Sequence, residues 1–299
     1  MSRMNSIVAV AAFAGLAASS FGASVNYPLG NLFVGDFFAP YESPLAAPGF
    51  NATYATMSTD WVAGSGGPWS NEAIWAVADN DLNNASAFYW DLGPSPDSAS
   101  NGNPVTLNWA GYRGGYDTVD ISAGPLWFIA AQAFDFSDAN WNNTSLTLTD
   151  QAAPTPDAFI DLGVVALENV PFDIDTIGSD FDTELGLFNS WGGLAEADDD
   201  DAGSLLSLIN VPGLPAGTYF LNAGGFNTIY GAGGYEVIVD GSLGSEGGSL
   251  NINIDGSSVY AGLLAADTNQ FFRFTVAVPT PGSVAVLGLA GLAGLRRRR

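Results

Sequence analysis

Leu250-Asn251-Ile252-Asn253-Ile254-Asp255 alternates an apolar with a polar side chain at every step, the two-residue period of a strand with one buried and one wet face. The same alternation returns in Phe271 to Val276, where Arg273 and Thr275 interleave with Phe272, Phe274 and Val276. Tyr235 to Val239 is a β-branched and aromatic run. Each segment predicts a strand. Outward from these, Ser24 to Ala277 repeats the pattern in short runs separated by Gly, Asn, Asp, Ser and Pro, without a long amphipathic helical period. With 37 glycines and 16 prolines as punctuation, the expectation is an all-β chain of antiparallel β-sandwich or jelly-roll modules, not a parallel sheet with crossover helices.

The chain has 299 residues, 47% of them hydrophobic, enough to bury a sizeable core. A boundary is expected at Asp150 to Asp157 (DQAAPTPD), where two prolines and small polar residues follow the strand-like Ser145 to Thr149. Seven of the eight tryptophans precede it, and only Trp191 follows. This divides the body into a Trp-rich module, 24–150, and a second module, 151–277, each of ordinary sandwich size. One continuous two-sheet domain is the alternative.

Histidine and cysteine are absent, and all seven basic residues are arginine. Imidazole bases, Cys nucleophiles, His/Cys zinc sites, disulfides and Schiff-base lysines are therefore excluded. The 31 acidic residues all lie between Asp36 and Asp267 and leave a net charge of −24. A phosphate backbone needs cations that such a surface cannot supply, so nucleic acid is not an expected partner. Glycosidase chemistry needs only two carboxyl groups, and Glu72, Asp91, Glu184 and Glu196 are available, but no spacing selects a pair. The expectation is a protein that is not an enzyme and requires no cofactor.

The two ends carry the plainest instructions. Arg3, the apolar run Ile7 to Ala18, and small residues through Ala23 have the layout of an export signal peptide, 1–23. At the other end, Pro279, Thr280, Pro281 and Gly282 break regular structure, Val284 to Leu295 is purely apolar, and Arg296, Arg297, Arg298 and Arg299 close the chain. Terminal arginines after an apolar helix act as a stop-transfer device, holding the C-terminus in the cytoplasm and everything before Pro279 outside. At about 1.5 Å per residue the helix covers about 18 Å of a hydrocarbon core about 30 Å thick, which suits a transient anchor.

That order of proline hinge, short apolar helix and arginine cluster over 278–299 resembles the PEP-CTERM sorting tail, with Thr280 standing where the family has glutamate. The resemblance implies cleavage near the proline motif by an exosortase-like membrane protease. It also implies delivery to the cell surface or an extracellular polysaccharide matrix, with the helix in the cytoplasmic membrane before processing. An ordinary C-terminal membrane anchor is the alternative. In the second module, Phe172 to Asp175, Asp180 to Phe188, Asp198 to Asp201 and Leu214 to Leu221 resemble the strand and turn signatures of bacterial pre-peptidase C-terminal (PPC) β-sandwich domains. That resemblance implies a non-catalytic jelly-roll appendage, sometimes with calcium at acidic turns.

Two candidate sites follow. Ca²⁺ takes oxygen ligands only, and Asp180 and Asp182 with Asp198 and Asp200 supply carboxylates; an extended segment puts either Asp198 with Asp200 or Asp199 with Asp201 on one side. A solvated acidic loop is the competing reading. Flat aromatic faces stack on sugar rings, so Trp61 and Trp69, beside Asn and Asp residues, are candidates for carbohydrate binding, against the alternative that they pack a core. The expected function is a secreted, structural or adhesive surface protein; a polysaccharide-binding or polysaccharide-active protein is the alternative.

Overall fold

The computed structural model describes residues 22–36, 38–92, 104–116, 118–133, 136–203, 205–239 and 246–279. The export signal before Gly22 and the tail from Thr280 onward lie outside the described residues. Among the described residues no helix is long and apolar enough to cross a membrane.

The described chain is all-β and sandwich-like. Its first eight strands are β1 (Ser24–Gly35), β2 (Tyr41–Leu45), β3 (Tyr54–Ala63), β4 (Ala73–Ala78), β5 (Phe88–Leu92), β6 (Val105–Tyr112), β7 (Leu126–Gln132) and β8 (Asp138–Thr149). They form two antiparallel sheets of order β1-β8-β3-β6 and β2-β7-β4-β5. Residues of both sheets share one core. Alternation decides what goes inside. On β3, Ala55, Met57, Thr59 and Trp61 are buried while Thr56, Ser58 and Asp60 point outward. Trp109 stacks on Trp141 at 5.8 Å and Trp75 on Phe128 at 6.1 Å. Burying such side chains contributes about 1.5–3 kcal/mol each.

The following strands are β9 (Ile160–Leu167), β10 (Phe172–Asp175), β11 (Thr183–Phe188), β12 (Leu194–Asp198), β13 (Leu208–Val211) and β14 (Gly217–Gly225). After them come β15 (Thr228–Tyr230), β16 (Val237–Val239), β17 (Gly248–Ile254), β18 (Ser257–Leu264) and β19 (Asn269–Ala277). Sheets β12-β11-β14-β19-β9 and β13-β10-β17-β18 enclose a second core, and β15 pairs with β16. Leu250, Ile252 and Ile254 of β17 are buried as the alternation predicts. Asp255 and Gly256, both at positive φ (48° and 69°), make the two-residue turn into β18. Such primed turns match the twist of paired strands.

Two expectations are corrected. The sheets are antiparallel except that β9 pairs parallel to β19, because the chain crosses to the facing sheet after β9 and its last strand enters between β14 and the edge strand β9. The strand predicted for Tyr235 to Val239 begins only at Val237. Tyr235 sits in a turn at φ 55° that delivers its ring against Phe188 and Phe220, at 5.6 and 5.0 Å.

The two cores are joined by a third cluster, in which Tyr112 meets Ala153, Phe188, Trp191, Phe220 and Tyr235. The connector between β8 and β9 belongs to it, since Ala153 N–H donates to the Trp191 carbonyl at 2.8 Å. Arg113, 2% exposed, places its guanidinium over the Trp191 ring, and its carbonyl accepts from Asn189 Nδ2 at 2.9 Å and Trp191 Nε1 at 2.7 Å. A Cβ on Gly193 would stand 2.1 Å from that carbonyl oxygen, so the approach requires glycine.

Candidate functional site

The acidic turn assembles through strand register. β11 pairs antiparallel with β12, Leu185 opposite Asp198, so the chain leaving β12 runs back alongside the residues that enter β11. This brings carboxylate oxygens of Asp182, Asp199 and Asp200 within 4.8 Å of one another. Beneath them lies a buried hydroxyl network. Thr176 Oγ1 and Thr183 Oγ1 are 2.6 Å apart, and Ser207 Oγ donates to the Asp199 carbonyl at 2.9 Å. The backbone on both sides of the cluster is thereby pinned.

Of the four candidate calcium ligands, the fold brings Asp182 and Asp200 together and leaves out the other two. Asp198 spends its carboxylate on the Leu208 N–H at 2.7 Å and the Asp201 N–H at 3.2 Å. Asp180 turns to β17, accepting from Ser249 N–H at 2.6 Å. Asp199 joins instead, because the chain bends directly after Asp198 and extended alternation no longer applies. The pairing of β11 with β12 is the signal that would have identified it.

The electrostatics of the cluster are unfavourable without a counter-charge. Asp182 Oδ1 is buried and has no hydrogen-bond partner among the described residues. Burial, with Asp199 and Asp200 nearby, raises the Asp182 pKa above the usual carboxylate range, and burial likewise raises Asp199. Burial pushes the adjacent Glu184 up to about 7, with Asp199 and Asp182 adding to the rise although the Asn227 N–H opposes it at 2.7 Å. Like charges sharing a partly dry site resist joint ionisation, and a hard cation relieves them.

The carbohydrate candidates separate. Trp61 is fully buried, so it packs the first core and offers no face to a sugar. Its N–H reaches the buried Gln132: with the amide oxygen turned toward the indoles, Gln132 accepts from Trp61 Nε1 at 3.2 Å and Trp141 Nε1 at 3.0 Å. Trp69, 45% exposed, precedes a single 3₁₀ turn (Ser70–Glu72), and the Glu72 carboxylate accepts its backbone N–H at 2.7 Å. Nearby polar groups on the first sheet are satisfied by one another, since Asp60 accepts from Thr106 Oγ1 at 2.8 Å and Asn143 Nδ2 at 2.9 Å.

Pro279 closes the described chain two residues after β19, whereas Thr280, Pro281, Gly282 and Arg296 to Arg299 lie outside the described residues. No family model, curated protein or solved structure matches the chain.

Proposed function

We propose that this chain is an exported, non-catalytic surface or extracellular-matrix protein with a structural or adhesive role, sorted through its C-terminal tail. One observation carries the reading. Among the described residues the first strand begins at Ser24 and the last ends at Ala277, so every described strand pairing lies between the two addressing segments read from the sequence. An export signal and a sorting tail must be removable without unpairing a strand, and a body whose described strands all lie between them suits that requirement. The acidic body suits the same role, since uniform charge keeps an extracellular protein soluble through self-repulsion. An exosortase-like protease is the processing partner, and extracellular polysaccharide is the surrounding polymer. Replacing Arg296 to Arg299 by serine and fractionating the cells tests the sorting step: the chain should leave the membrane fraction or lose its surface display, and unchanged surface delivery would overturn it.

A second reading concerns Ca²⁺ as a folding ligand at Asp182, Asp199 and Asp200. Asp182 Oδ1, buried and without a hydrogen-bond partner among the described residues, favours it, because a carboxylate oxygen shut away from water is costly unless a cation or donor meets it. The donor set is oxygen only, as calcium prefers, with water completing a shell of about six to eight ligands.

A further inference from the structure

A cavity of about 310 Å³ opens where the two sandwiches meet. Phe88 and Tyr89 of the edge strand β5, Tyr112 at the end of β6, Gly115 just beyond it, Tyr230 of β15 and the following Gly231 contribute to its lining. Among the described residues no charged side chain lines it, although the chain carries 31 carboxylates. The lining is tied together in advance. Tyr112 N–H donates to the Ala232 carbonyl and Gly115 N–H to the Leu194 carbonyl, each at 2.9 Å, while the Tyr230 hydroxyl donates to the Glu184 carbonyl at 3.0 Å. Preorganised walls spare a ligand the cost of ordering them.

We infer that this junction cleft binds one neutral sugar ring of a polysaccharide. A pyranose has an apolar C–H face and a rim of hydroxyls, which calls for aromatic faces beside phenol and backbone polar groups, without fixed charge. Phe88 is 46% exposed and Tyr89 brings its phenol, while Gly115, where a Cβ would meet nothing within 4 Å, leaves its main chain open to a ligand. The volume sits at the low end of ligand sites, about 300–1,000 Å³, so the cleft takes a single ring and not a run of them. Charge selects against the alternatives. A uronic acid meets the repulsion of a chain at net −24, and an amino sugar finds no carboxylate in the lining, since Glu236, beside Gly231, is held by the Gly233 N–H at 2.8 Å. A wholly apolar ligand is better served by the adjacent cavity of about 230 Å³, lined by Ile74, Trp75, Leu82 and Ile129 on the far side of Phe88. The inference does not depend on the sorting tail: the cleft binds sugar or fails to, wherever the chain is delivered.

Isothermal titration and saturation-transfer NMR of the purified full-length chain test it, with gluco-, manno- and xylo-tetraose as neutral probes and oligogalacturonate and chitosan tetramer as charged ones. At least one neutral probe should bind saturably and better than either charged probe. Tyr89→Ala and Phe88→Ala should each weaken binding about tenfold, the worth of one aromatic contact. Phe38→Ala, which removes an exposed ring stacked on Phe136 outside the cleft, should leave affinity unchanged. Thermal melts accompany each variant; if Tyr89→Ala unfolds, the half-exposed Phe88→Ala decides. Absence of neutral-sugar binding, preference for a charged probe, binding that survives Phe88→Ala, or equal loss in Phe38→Ala would each overturn the assignment.

Discussion

The guanidinium carbon of Arg113 lies 4.6 Å from the centre of the Trp191 ring, and the Trp191 indole N–H donates back to the Arg113 carbonyl at 2.7 Å. Each residue comes from a different sandwich, so the pair ties the two cores mechanically. A desolvated cation–π contact contributes about 2 kcal/mol, and truncating a buried Trp costs about 3–5 kcal/mol. Trp191→Ala should therefore split urea unfolding into two transitions, with Trp191→Phe intermediate. A single, unshifted transition in Trp191→Ala would show that the sandwiches do not depend on this contact.

Gln132 is fully buried and serves two indole N–H groups at once, those of Trp61 and Trp141. Gln132→Leu leaves both donors unmet, at about 1–3 kcal/mol each. Chemical denaturation should register a loss of about 2–5 kcal/mol, whereas Gln132→Glu should be worse at neutral pH than at pH 4 because it adds a buried charge.

These two relationships show where the sequence is readable and where it is not. The alternation in β17 and β19 forces their inward faces, because a one-residue slip would put every apolar side chain in water. The same period in β3, with Ala55, Met57 and Thr59 ahead of Trp61, already marks Trp61 as inward, so the sugar reading of that residue yields to the local pattern. Long-range pairing has no such local mark. Nothing in the residues around Arg113 announces Trp191, nor around Ile160 the parallel register with Phe272. The acidic site was half visible: the aspartates declare themselves, but choosing Asp199 over Asp198 requires the bend after β12 and its pairing to β11.

Glu184 gives the stability a pH slope. Its pKa rises from an ordinary 4.5 to about 7 on folding, so the folded state holds the proton more tightly. The favourable difference is complete below pH 4.5 and is lost as pH rises through about 7, a change of about 3 kcal/mol that solvent screening at this half-exposed group reduces to about 1–2 kcal/mol. The opposite sign holds for Asp79, whose pKa is lowered chiefly by the Ser86 hydroxyl, and whose contribution disappears as pH falls through that depressed value. Melting temperature should therefore peak in mild acid and decline toward neutrality in metal-free buffer. Glu184→Gln, which keeps an acceptor for Asn227 N–H, should flatten the decline; an unchanged slope would reject Glu184 as its source.

Calcium should oppose that decline. A ligand bound only by the native state adds about 2.7 kcal/mol at a hundred times its dissociation constant. Differential scanning calorimetry should show a melting temperature that climbs with Ca²⁺ in the parent chain and in Asp180→Asn, but not in Asp182→Asn. In metal-free buffer Asp182→Asn should match or exceed the parent in stability, since it relieves like-charge repulsion. Equal calcium responses in all three chains would eliminate the site.

The sorting account is tested most directly by the intact mass of the chain recovered from the outer surface of the cells that make it. The account predicts a polypeptide that starts near residues 20–23 and ends near Pro281, without the apolar helix and the four arginines. A surface-exposed chain with its mass running through Arg299, or a full-length chain in the cytosol, would contradict it.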